Sequence, residues 1–74
     1  MHYSATTEAL LCAIKSDVRK RVDDIVGFAE NAAMTLSSEE EVDAVLEKAL
    51  LDVERALCEA ARAMAREIQR ERMY

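Results

Sequence analysis

Ser37-Ser38-Glu39-Glu40-Glu41 holds two overlapping capping boxes, Ser37 with Glu40 and Ser38 with Glu41, and puts three carboxylates into the first turn of a downstream helix. A hydroxyl at a helix start accepts from the free backbone N–H groups, a Glu three residues later reaches back, and negative charge suits the positive helix end. The segment therefore opens a helix, and whatever precedes it has ended by then.

Downstream, Val42, Leu46, Leu50, Val53, Leu57, Ala61, Met64 and Ile68 recur every three or four residues, the spacing of one helix face. Upstream, Leu11, Ile14, Val18, Val22, Ile25, Ala29, Ala32 and Leu36 do the same. A hydroxyl at Thr6 with Glu8 behind it marks the upstream start. One Gly (Gly27), no Pro and an abundance of Ala, Leu, Glu and Arg favour long uninterrupted helices. The expected fold is all-α, a single helical-hairpin domain over 1–74, with the first helix at about 6–36, the turn at 37–38 and the second helix at about 39–72.

Two long helices joined by so short a link lie antiparallel. The register that aligns both stripes sets Leu11 beside Met64, Ile14 beside Ala61, Val18 beside Leu57, Val22 beside Val53, Ile25 beside Leu50 and Ala29 beside Leu46. Every rung is apolar. Left outside it is a second flank, rich in Ala, with Val26, Val45, Ala49, Ala56, Ala60 and Ala63. A chain of 74 residues seldom buries enough apolar surface to stand alone. The flank, with Gly27 for close approach, is expected to be an oligomer interface, so the hairpin assembles into a homo-oligomeric helical bundle, at least a dimer.

Cys12 and Cys58 show no metal-ligand spacing, and an isolated Cys in a helical pattern acts as a small buried hydrophobe. The register separates them by some five residues, about 7 Å along the axis, which opposes a bridge between them.

Net charge is −5, against a general duplex nucleic-acid binder, whose affinity comes from neutralising phosphates. That average conceals a division. Residues 22–54, the turn half, carry ten acids against Lys48 alone, a net of −9; the remaining open half carries nine bases against five acids, a net of +4. Carboxylates at the start of the second helix and arginines near its end suit the helix dipole. The row Arg55, Arg62, Arg66 and Arg70 sets like charges along one face, relieved in part by Glu59, Glu67 and Glu71. Its bland reading is a solvated face. Its functional reading is an anion cradle, in which Arg62, Arg66 and Arg70 meet Tyr3, Thr6 and Thr7 at the start of the first helix, where free N–H groups and hydroxyls suit a phosphate. Tyr3 and Tyr74 would then stack on a base.

The chain has one histidine, His2, so no zinc site, di-iron motif or histidine triad can be assembled, and one glycine does not make a phosphate loop. Paired acids such as Asp23 and Asp24 sit on a solvated helix surface. No enzyme activity, metal or cofactor is expected. Charges interrupt every apolar run long enough for a bilayer, and Met1-His2-Tyr3-Ser4 lacks the features of a signal peptide, so no membrane association and a cytoplasmic location are expected.

Thr7-Glu8-Ala9-Leu10-Leu11, with Ile14 following, and Leu46-Glu47-Lys48-Ala49-Leu50 resemble the two helices of the hairpin domain in phage sponges of immune signalling nucleotides, the anti-CBASS and anti-Thoeris proteins. The resemblance implies a helical, oligomeric, non-catalytic protein that holds cyclic nucleotides between protomers. It covers about ten residues in detail. Leu51-Asp52 stands where the family pattern has an aromatic residue, and this turn is more acidic.

The expected function is a non-catalytic homo-oligomeric binding module, a phage or mobile-element inhibitor of a host defence system that acts by binding a host protein. One alternative is a sponge for a cyclic nucleotide, held by Arg62, Arg66 and Arg70 with Thr6 or Thr7. The other is a structural bundle or chaperone-like adaptor.

Overall fold

The computed structural model describes residues 3–73 and consists of two helices, α1 (Ala5–Thr35) and α2 (Glu39–Arg72), with no strand among the described residues. His2 and Tyr74 lie outside them, and with Tyr74 one half of the expected stacking pair.

Local chemistry sets each end. Ser4, not Thr6, caps α1: its hydroxyl oxygen accepts from the Thr7 N–H at 3.2 Å, and the helix begins at Ala5. The reason is burial. Thr7 turns inward and is buried, so the cap forms earlier in the chain, with Ser4 Oγ also 3.1 Å from Thr7 Oγ1. At the other end the Leu36 N–H still donates to the Ala32 carbonyl, but Leu36 itself is extended and the helix stops at Thr35. Of the two candidate cap serines the second is used: Ser38 is extended and its hydroxyl accepts from the Glu41 N–H at 3.4 Å. No residue in the turn has positive φ, which is why it manages without glycine.

The helices run antiparallel. Arg21 on α1 reaches Glu59 on α2 at 3.0 Å, and the Ser4 N–H donates to Glu71 Oε1 at the open end. Grooves between the helices gather Ile14 and Val18 with Ala56 and Ala60, and Ile25 and Phe28 with Val45 and Ala49. The expected register therefore holds to within a residue or two. On α1 the expected stripe also holds, since Leu11 and Ala29 are buried and Ile14, Val18, Val22, Ile25, Ala32 and Leu36 are partly so.

On α2 the face differs. Ala56 is 0% exposed and Ala60 is buried, with Val45, Ala49, Val53 and Ala63 partly covered, while Leu46, Leu50, Leu57 and Ala61 are exposed. Each residue along a helix turns it by about 100°, so the inner line runs one position earlier than the large aliphatics suggest. The flank expected to join protomers is the one that packs against α1. Small side chains win here because α1 already supplies Leu, Ile and Val. Bulk on one helix meeting alanine on the other lets two backbones approach closely.

The result is a rod of 56 × 15 × 14 Å, with no large side chain fully buried among the described residues. Its accessible surface is 6122 Å². A compact monomer of its 8.3 kDa mass would show roughly 4,600 Å² by size scaling.

Candidate functional site

The residues beside the contact positions on α2 divide sharply. Six of the positions turned toward α1 sit in the triplets Ala44-Val45-Leu46, Lys48-Ala49-Leu50, Arg55-Ala56-Leu57, Glu59-Ala60-Ala61, Arg62-Ala63-Met64 and Arg66-Glu67-Ile68. The residue before the contact position is charged in five of these six and the residue after it is apolar in all six, while at Val42 and Val53, also partly covered, the following residues are Asp43 and Glu54. One step either way is about 100°, so α2 has a charged flank and an apolar flank on opposite sides of its line of contact.

The charged flank includes Arg55, Arg62 and Arg66, all exposed. Along the same side run three grooves between the helices. The middle one contains the Arg21–Glu59 pair with Asp17; the one nearer the turn has Val45 and Ala49 beside the exposed Phe28, with Asp24, Lys48 and Asp52 around them. The third lies at the open end, encloses about 510 Å³, and is lined by Ser4, Thr6, Thr7, Leu10, Glu67, Arg70 and Glu71.

That third groove is where the anion cradle was expected, and the structure assembles it only in part. Thr6 and Arg70 are there and exposed. Thr7 is buried and engaged with Ser4, while Tyr3, half-buried, and Arg62 and Arg66 do not line the groove. Two carboxylates do line it. Glu71 accepts from the Ser4 N–H at the start of α1, the place a bound phosphate would take, and its Oε2 is buried without a hydrogen-bond partner. Glu67 lies 3.8 Å from Arg70. The positive end of α1 is thus answered from within the chain, by residues whose sequence pattern suggests only relief for the arginine row.

The apolar flank presents Leu46, Leu50 and Leu57, which are exposed, and Met64 and Ile68, which are partly so. Leu50 is 69% exposed. From α1, Val26 is also exposed. Of the six residues expected to join protomers, only Val26 is exposed. Ala56 and Ala60 are spent inside the hairpin, and Val45, Ala49 and Ala63 are partly covered there. Leu51, also exposed, lines a shallow cleft with Leu50 and Ala44 beside the run, while Phe28 belongs to the groove on the other side, and Leu10 and Met34 lie outside the run.

Neither cysteine is buried. Cys12 and Cys58 are both exposed free thiols, because the inward face of α1 passes through Leu11 and that of α2 through Ala56 and Ala60. Among the described residues no group of three or more His, Cys, Asp or Glu side chains converges as metal ligands do, and no helix is long and apolar enough to cross a membrane. No family model matches the chain, and neither does any curated protein or solved structure.

Proposed function

We propose that the chain is a non-catalytic, self-associating helical module whose working surface is the apolar flank of α2. The observation that carries this reading is the row of bare aliphatics at Leu46, Leu50 and Leu57, continued by Met64 and Ile68, on a hairpin with almost no interior. An exposed apolar run of this length on a chain with so little core marks a surface used for association. The excess over a compact monomer, roughly 1,500 Å², exceeds the ~800 Å² per partner that a standard interface covers.

The charged flank suits water and stays there. A sponge role for cyclic nucleotides draws less support, because the open-end groove offers Glu67 and Glu71 beside Arg70 and leaves Arg62 and Arg66 outside it. Binding to a host defence protein would use whatever apolar surface the assembly leaves, such as the Phe28 groove.

Sedimentation equilibrium at micromolar concentration tests the proposal. A dimer or larger species is expected, and a fully helical 8.3 kDa monomer would overturn it.

A further inference from the structure

We infer that two copies pair through the apolar flank as an antiparallel, two-fold dimer with α2 against α2 and Leu57 on the axis. This rests on the proposed self-association and specifies its geometry.

The spacing of the flank is symmetric about Leu57. From Leu57 toward the turn the steps are four, three and four, through Val53, which the hairpin already covers in part, then Leu50 and Leu46; toward the open end they are again four, three and four, through Ala61, Met64 and Ile68. An antiparallel partner meets that row from the opposite direction. Leu57 then faces the partner's Leu57, Val53 the partner's Ala61, Leu50 the partner's Met64 and Leu46 the partner's Ile68. All rungs are apolar, over about 33 Å of helix.

A parallel pair would align the same row with itself, so the apolar residues alone do not choose between them. Charge chooses. The turn half carries a net of −9 and the open half +4, with the division close to Leu57. Parallel pairing sets two acidic halves side by side. Antiparallel pairing sets each acidic half against a basic one, and like charges across an interface cost far more than rim pairs gain. The direction of approach is compatible, since a row one residue past the line of contact with α1 lies about 100° round α2, close to the square corner of a four-helix bundle.

The test uses single cysteines in the full chain with Cys12→Ser and Cys58→Ser, each variant checked for helicity by circular dichroism and for mass by sedimentation. Leu57→Cys should oxidise to a disulfide-linked dimer on its own. Leu50→Cys and Met64→Cys should each stay monomeric on a non-reducing gel when oxidised alone, and link when mixed. A dimer by sedimentation in which Leu50→Cys links to itself, or in which none of these pairs links, overturns the antiparallel geometry and leaves self-association standing. A monomer by sedimentation overturns both.

Discussion

Ala56 and Leu57 are neighbours in the chain and opposites in the fold. One is completely buried against α1; the other is 52% exposed. The same contrast repeats at Ala49 and Leu50, and in milder form at Val45 and Leu46. The smaller residue goes inside the hairpin and the larger stays out. In a protein stable by itself the larger residues would fill the core, since each aliphatic side chain buried gives about 1.5 to 3 kcal/mol. Here that driving force is withheld from the hairpin, and the proposed second contact would use it.

The largest effect is expected at the alanine. Ala56→Asp should cost about 3 kcal/mol or more, because it leaves an unpaired charge between two packed helices, and circular dichroism should show helicity lost at all concentrations. Leu57→Asp should behave differently. It leaves the contact with α1 intact but sets two carboxylates face to face on the proposed axis, so sedimentation should show the monomer, with a lowered melting midpoint. If Leu57→Asp remained dimeric, the leucine side would not be the interface. If Ala56→Asp remained fully folded, the alanine side would not be the core.

Milder changes sharpen the picture away from both faces. A Cβ added at Gly27 meets nothing within 4 Å. Gly27→Ala should therefore raise stability by about 0.5 to 1 kcal/mol through helix propensity alone, and a thermal melt that moved down instead would show that the second copy approaches there. The Arg21–Glu59 pair is about half-exposed on both sides, so Arg21→Ala should change stability by less than about 1 kcal/mol. The smallest effect expected is none: melts with and without reductant should coincide, because Cys12 and Cys58 are free thiols on a register that keeps them apart.

The same residues show how far the sequence could be read. The turn was legible because Ser38 and Glu41 carry a local chemistry that needs no tertiary context, and its short length fixed the register. The inner face of α1 was legible because its apolar stripe is narrow. On α2 the apolar arc is broad, spanning both Ala56 and Leu57, and periodicity alone does not say which edge of such an arc meets the neighbour. Size pointed to the leucines. Complementarity to the bulky stripe of α1 decided for the alanines, and that term belongs to the pair of helices rather than to either one. The arginine row was visible as a pattern, but whether Arg62 and Arg66 would reach the open-end groove depended on that same rotation. Turned by one position, they face water beside the groove, and Glu71 takes the helix start.

Whether the leucine side of α2 is covered by another copy of the chain can be read most directly from the melting midpoint across a hundredfold range of protein concentration. Self-association through that face predicts a midpoint that climbs steadily with concentration, by mass action on the assembled state. A midpoint that stays constant across the range, with a cooperative helical transition throughout, would mean that the hairpin stands alone with its leucines in water.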